Sequence, residues 1–345
     1  MAVLAPTLDV HARNGVLSRT SWEDIVAPVR PFLDRVSERL AEQADAFEPE
    51  IAGYARYALD NQGKQLRPAL VALSGEAVGT AGDDLVTIAV IIEMVHLATL
   101  VHDDIMDAAT VRRRQPTLAA RWGNQVSVLL GDCLFAHALK LAADFSSTDI
   151  SRSIARATGT ICTGEILQTH RRRRWTLGRA EYFKVLEMKT AELFALACEL
   201  GARLAGGTAA EQAALRRHGL ALGTAYQIYD DCLDLYGSED TAGKSLGTDL
   251  ATGKLTLPLL VFLERAGEPE RRELLGWLER WEPERFDAVR TKLEQHGALA
   301  ESAAAIDGFL AEARDALAGL RPGPAPRALS SLADFLSHQT AALGG

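Results

Sequence analysis

Between Pro68 and Pro258 the chain carries a single other proline, Pro116. Proline lacks an amide donor and clashes with the preceding helical turn. A stretch so free of it, rich in Ala, Leu, Glu and Arg and poor in alternating apolar and polar residues, is therefore suited to long uninterrupted helices. The expected fold class is all-α. Helices are read at 50–60, 67–78, 83–107, 119–143, 150–170, 179–205, 210–236 and 254–264, with several more beyond 270. Thr20 followed by Glu23 has capping-box spacing. It would open a peripheral amphipathic helix with Ile25, Val29, Phe32, Val36 and Leu40 at helical intervals. No composition break resembles a linker until RPGPAP at 321–326, which introduces a last helix from Arg327 to about Ala342. No repeat of fixed period marks a solenoid. The expected organisation is one large helical bundle over 1–345, with 1–18 as a flexible N-terminal segment.

At 345 residues and 48% hydrophobic content the chain can bury a large core. Its formal charge of -9 argues against nucleic acid, which demands a concentrated basic face. The cysteines, Cys133, Cys162, Cys198 and Cys232, form no CxxC pair, so they read as buried thiols in a reducing cytoplasm. The N-terminus has no cationic start followed by an apolar core of signal-peptide length. Leu85–Val101 is the most apolar stretch, but it holds Glu93 and His96 and falls short of the roughly 20 residues that span a bilayer. It reads as a buried central helix, and no transmembrane segment is expected.

Chemistry concentrates in two acidic clusters. HDDIMD places Asp103, Asp104 and Asp107 at i, i+1 and i+4, so on a helix Asp103 and Asp107 share a face one turn apart. YDDCLD repeats the spacing with Asp230, Asp231 and Asp234. One such cluster is ordinarily a solvated helix face. Two copies, each preceded by an apolar stretch, place carboxylates where helices enter a core, and unpaired charge there is costly. Magnesium suits them, because it takes hard oxygen ligands through one or two carboxylates plus phosphates and water; no EF-hand loop points to calcium. Cations stand around the clusters: Lys64, Arg67, Arg112, Arg113, Arg114, Lys189, Lys244 and Lys254. Several lie beside Gly or Thr, which let backbone approach phosphate closely. A single lysine is usually a solubility residue. The recurrence fits two anionic diphosphates.

These residues carry a resemblance. GKQLRP at 63–68, His96, DDIMDAATVRRRQPT at 103–117, GD at 131, GEILQ at 164, KT at 189, YQIYDDCLD at 226–234, GKSLGTDL at 243–250 and GKLTLP at 253–258 occur in the order seen in the trans-isoprenyl diphosphate synthases. The chain looks most similar to the medium- and long-chain bacterial polyprenyl diphosphate synthases. The resemblance implies a class I isoprenoid synthase bundle around a central cavity, a homodimer through apolar helices such as 119–143, and condensation of isopentenyl diphosphate with an allylic diphosphate. It also implies magnesium, three ions with substrate diphosphate bound. Asp103, Asp107 and Asp230 would ligate metal, with Asp104, Asp231 and Asp234 acting directly or through metal-bound water. Arg112, Lys189 and Lys254 would hold the allylic diphosphate. Lys64, Arg67, His96 and Arg113 would anchor isopentenyl diphosphate, and Lys244 would add a further substrate contact. Thr190 and Gln227 would flank the reacting carbons, where dipoles steady an allylic cation.

In this family residues one turn before the first cluster act as a floor for the growing chain. Here they are Ala98 and Thr99, neither bulky, so the product should exceed farnesyl diphosphate. Met94, Val95 and Ile91 mark the next levels, and Phe135 is a candidate lower floor, although any of these reads equally as ordinary core. Gln62, Gln65, Arg114 and Tyr226 depart from the family pattern, and the basic C-terminal residues common there are replaced by SHQTAALGG. The run HRRRR at 170–174 reads as a solvated helix C-terminus favoured by the dipole, the alternative being contact with an anionic, peripheral membrane surface or with a partner. The rival readings are a class I terpene cyclase, which needs no second diphosphate site, and a subunit of a heteromeric synthase.

Overall fold

The computed structural model describes residues 21–60, 63–80, 82–238 and 246–344. Thr20, Gln62, Lys244 and the segment 1–18 lie outside the described residues. Among the described residues sixteen α-helices follow one another: α1 Trp22–Val26, α2 Arg30–Glu42, α3 Pro49–Asp60, α4 Leu66–Val78, α5 Asp83–Met106, α6 Leu118–Ala143, α7 Thr148–His170, α8 Arg179–Leu186, α9 Glu192–Leu204, α10 Ala209–Tyr236, α11 Thr248–Thr252, α12 Leu257–Arg265, α13 Glu268–Glu279, α14 Phe286–Gln295, α15 Ala298–Ala316 and α16 Pro324–Ala341. Among the described residues the only strands are β1, Val111–Arg112, and β2, Gln115–Pro116, paired antiparallel between α5 and α6.

The core forms around α4, α5, α9 and α10, with α6 laid against α5 and α15 against α10. Helix α5 is apolar on every side, and Leu85, Val86, Ile88, Ala89, Val90, Ile91 and Ile92 are all buried, as expected of a helix surrounded by others. Helices α9 and α10 approach closely because Gly219 and Gly223 face them. A Cβ on Gly223 would stand 2.7 Å from the Ala191 Cα, and one on Gly219 would stand 2.5 Å from the Phe194 carbonyl oxygen. This contact aligns the middle of α10 with the segment that precedes α9.

Local departures from the expected helices have identifiable causes. The first described helix is capped by Ser21 with Asp24: Ser21 Oγ accepts from the Asp24 amide at 3.1 Å, and Asp24 accepts from the Ser21 amide at 3.0 Å. The helix expected over 179–205 is interrupted by a π turn, Glu187–Ala191, in which the Glu192 amide reaches back five residues to the Glu187 carbonyl. The helix expected from 254 begins at Leu257, so Lys254 sits in the connection after the one-turn α11. Helix α16 starts at Pro324, within the supposed linker, because proline is well tolerated in a first helical turn.

Two helices, α5 and α6, are long and apolar enough to cross a membrane, so the expectation that Leu85–Val101 is too short understates α5. Its most apolar window is 72% buried inside the protein, whereas that of α6 is 39% buried. Helix α6 shows Leu129 64% exposed and Val128 41% exposed, and Ile166 on α7 is 67% exposed.

Candidate active site

The first acidic cluster is at the C-terminal end of α5. Asp103 and Asp104 occupy the last turn and Asp107 is the C-cap, outside helical geometry at φ -96°, ψ 2°. The helix dipole is negative there, so three carboxylates need cations from elsewhere. They obtain them from three different elements. Arg112 on β1 donates to Asp104 at 2.7 Å, Arg172 from the turn after α7 donates to Asp107 at 2.7 Å, and Lys189 of the π turn lies 3.9 Å from Asp103. Burial pushes the Asp103 carboxyl up to about 6; Lys189 opposes that, while Glu165 and Asp107 add to it. Burial also raises Asp104, against Arg112. The turn of the hairpin that delivers Arg112 is Arg113–Arg114, with φ of 51° and 63°. That is the left-handed pair a two-residue hairpin requires, here without the glycine that usually provides it.

The second cluster lies near the end of α10, and its inner carboxylates are enclosed: Asp231 and Asp234 are both 0% exposed. Asp231 accepts from the Tyr182 hydroxyl at 2.7 Å, Lys254 Nζ at 2.9 Å and Gln227 Nε2 at 3.0 Å. Asp234 accepts from the Thr248 hydroxyl at 2.8 Å and the Asp249 amide at 3.0 Å, which ties α11 to α10. Lys254 also pairs with Asp249 at 3.2 Å. Burial disfavours the Lys254 ammonium, but Asp231, Asp249 and Asp230 outweigh it and hold its pKa well above the usual lysine range. Burial and then Asp231 drive the Tyr182 phenol well above its ordinary value. Asp230 is half-buried beside them.

The π turn joins the two clusters. A π turn inserts one residue into the helical register and is frequent at functional sites. Here Lys189 reaches Asp103, Glu165 and, at 3.0 Å, Gln168 Oε1, while the adjacent Thr190 hydroxyl donates to Gln227 Oε1 at 2.7 Å. A line of partners therefore runs from Asp103 through Lys189, Thr190 and Gln227 to Asp231 and Lys254.

A second group of cations gathers farther along α5. Arg67 lies over the Phe194 ring at 4.7 Å and shares with Arg113 the field of Glu93, which is buried at 2% exposure. Burial raises the Glu93 carboxyl, opposed by Arg67 and Arg113. His96 is held well below its ordinary pKa by burial first and then by Arg67, Arg113 and Arg112, so its ring is neutral. Gly63 admits the Arg113 guanidinium, 2.5 Å from where a Cβ would stand. Lys64 lies over the Phe335 ring of α16 at 5.7 Å. A small cleft of about 30 Å³ lies beside this group, bounded by Tyr57, Leu97, Leu100, Asp104, Arg112 and Arg113. Of the residues expected to set chain length, Ala98 is fully buried, Thr99 donates to the His96 carbonyl at 2.7 Å, and Phe135 lies 5.8 Å from the His102 ring.

Several participants were not singled out by sequence reasoning. Glu165 and Asp249 stood inside matched motifs but had no assigned role, and Glu93 served only as a charge within an apolar run. Tyr182 and Arg172 gave no sequence signal. The basic run at 170–174 is not simply a solvated helix end. His170, Arg173 and Arg174 are exposed, but Arg172 crosses to Asp107 and Arg171 lies 4.0 Å from Glu181.

The polyprenyl synthetase family model matches residues 48–294. A short chain isoprenyl diphosphate synthase of Methanothermobacter thermautotrophicus is 32% identical over 318 residues, 91% of this chain and 98% of its own. A nonaprenyl diphosphate synthase of Mycobacterium tuberculosis is 34% identical over 312 residues, covering 90% and 92% of the two chains. The crystal structure of a polyprenyl synthase from Caulobacter crescentus, complexed with calcium and isoprenyl diphosphate, superposes with a TM-score of 0.88 at 34% identity, over 93% of this chain and 99% of that one.

Proposed function

The chain belongs to the polyprenyl synthetase family, and from that premise we propose that it joins isopentenyl diphosphate head-to-tail onto an allylic diphosphate, in trans geometry, to give a polyprenyl diphosphate. One observation carries this reading: two aspartate triplets on different core helices meet at the π turn, where Lys189 pairs with Asp103 and its chain neighbour Thr190 leads by hydrogen bonds through Gln227 to Asp231 and Lys254.

Magnesium fits the donors. They are hard carboxylate oxygens, and among the described residues no three acidic, His or Cys side chains converge as a closed metal site. An ion that keeps water and takes substrate phosphate needs no such cage. Asp103, Asp107 and Asp230 would hold three ions, supported by Asp104, Asp231 and Asp234. When bound, magnesium supplies Lewis-acid stabilisation of the departing diphosphate. Arg112, Lys189 and Lys254 clamp the allylic diphosphate, each exchanging a carboxylate partner for phosphate. Lys64, Arg67, neutral His96 and Arg113 anchor isopentenyl diphosphate, with Lys244 as a further contact. Fixing both substrates turns a bimolecular attack into an effectively unimolecular one. Thr190 and Gln227, which already orient each other, direct their dipoles at the allylic cation. Water is excluded by the apolar wall of α5, and the departing diphosphate takes the proton.

The small side chains of Ala98 and Thr99 favour a product longer than farnesyl diphosphate, with Phe135 as the lower floor. The half-bare apolar face of α6 favours a homodimer. The whole chain is read as one domain, and its free thiols fit the cytoplasm, although only Cys198 and Cys232 are buried as expected, Cys133 being half-buried and Cys162 exposed. A terpene cyclase would have no use for the Arg67–Glu93–Arg113 group with His96 beside it.

The test is incubation with magnesium, labelled isopentenyl diphosphate and, separately, dimethylallyl, geranyl, farnesyl and geranylgeranyl diphosphates, followed by sizing of the dephosphorylated products. Labelled chains above C15 are expected, reduced by roughly 10²–10³-fold in Asp103→Ala and Asp230→Ala. No incorporation from any primer would overturn the reading, and unlabelled cyclic hydrocarbon would replace it with a cyclase.

A further inference from the structure

The turn after α7 has no assigned part in the reaction, yet it touches both the first acidic cluster and the segment that bears Lys254. On one side it is pinned near the second cluster. The Arg173 amide donates to the Gly253 carbonyl at 2.8 Å, next to Lys254, and Arg173 takes a left-handed φ of 60° to do so. Gly253 accommodates that approach, because a Cβ there would stand 2.5 Å from the Arg173 Cγ. Arg171 fixes the other end through the Glu181 carbonyl at 3.2 Å. From this anchored turn Arg172 extends to the first cluster and donates from Nη2 to Asp107 at 2.7 Å. Its side chain is 23% exposed, and its Nε is buried with no hydrogen-bond partner among the described residues. The guanidinium thus has a donor left over for a second anion. Asp107, at 43% side-chain exposure and on a non-helical cap, is the least enclosed carboxylate of its cluster.

We propose that Arg172 is a resident counter-ion of the first cluster, displaced from Asp107 when metal binds and then taken up by diphosphate, so that this arginine makes metal binding depend on diphosphate. Without diphosphate, metal must compete with a guanidinium already on the carboxylate. With diphosphate present, the displaced guanidinium gains a bidentate anionic partner in exchange. Coupling of this kind is reciprocal, so diphosphate affinity rises with metal by the same factor. The inference rests on the metal and diphosphate reading of the site.

The experiment measures Mn²⁺ binding to the full-length protein by paramagnetic resonance, with and without inorganic diphosphate and corrected for the complex formed in solution. The variants are Arg172→Gln and Arg172→Lys. In the wild type, diphosphate should strengthen Mn²⁺ binding. Arg172→Gln should bind Mn²⁺ alone about threefold to tenfold more tightly and lose a corresponding share of the diphosphate enhancement, while Arg172→Lys should stay near the wild type. Equal or weaker Mn²⁺ binding by Arg172→Gln, with the wild-type enhancement intact, overturns the inference but leaves the site reading standing. No enhancement in the wild type overturns both. Phenylglyoxal labelling of the wild type, mapped by peptide, provides a check independent of variant folding. Mn²⁺ alone should increase labelling at Arg172 and added diphosphate should suppress it; unchanged labelling with Mn²⁺ overturns the inference.

Discussion

The two aspartate clusters share one spacing in sequence and differ in how the fold uses them. The first ends its helix, and each of its carboxylates meets a cation from a separate element: a hairpin, an interhelical turn and the π turn. The second lies within its helix, and its enclosed carboxylates cross-link α10 to α8, α11 and the connection bearing Lys254. The same motif thus forms in one place a more open face and in the other part of the frame. Burial depth, not sequence, separates them.

The comparison is most strained by removing Asp231. Asp231→Ala leaves the Lys254 ammonium and the Tyr182 hydroxyl buried with a partner missing, and stability should fall by about 3–5 kcal/mol in denaturant unfolding. A loss below about 1 kcal/mol would mean that the second cluster is not part of the frame. The opposite sign is expected at the first cluster. Asp103 has its carboxyl raised to about 6, above the ordinary 3.8, so ionising it costs folding free energy. Between those two values the folded protein binds more protons than the unfolded chain, and stability falls as pH rises through that window. Metal-free Asp103→Asn should therefore be more stable than the wild type above pH 6, by on the order of 1–3 kcal/mol, with the difference closing below about pH 4. A variant less stable than the wild type at pH 7.5 would break the contrast. The smallest effect belongs to Tyr182→Phe. Losing one hydrogen bond to a charged group should cost about 1.5–3 kcal/mol before partial compensation by Lys254 and Gln227, and about 1 kcal/mol after it. Thermal unfolding of that variant would show whether Asp231 is held redundantly.

The helices were legible because the signals that place them are local. Sparse proline, composition and helical periodicity located α5, α6, α7 and α10 to within about two residues. What escaped was set by contacts between distant segments. The π turn has no local sequence mark, since Glu187–Ala191 are all residues an α-helix accepts. Lys254 was placed on a helix because its neighbours are apolar, whereas its pairing with Asp231 and Asp249 holds it in the preceding connection. Both clusters were recognised from spacing alone, yet nothing in HDDIMD or YDDCLD tells which carboxylate will be enclosed. Arg172 was hidden among four consecutive arginines, and only the path of the turn selects the one that crosses the cleft.

The π turn constrains how this chain can change over time. Point substitutions at Glu187 or Met188, both half-buried, leave the extra residue in place. Deleting any one residue from 187–191 would rewind the segment to ordinary α geometry and rotate one flank against the other by about 100°. Lys189 and Thr190 could not then face Asp103 and Gln227 together. The segment should therefore tolerate spelling changes and reject changes of length, which makes its length a better marker of retained activity in distant homologues than its letters.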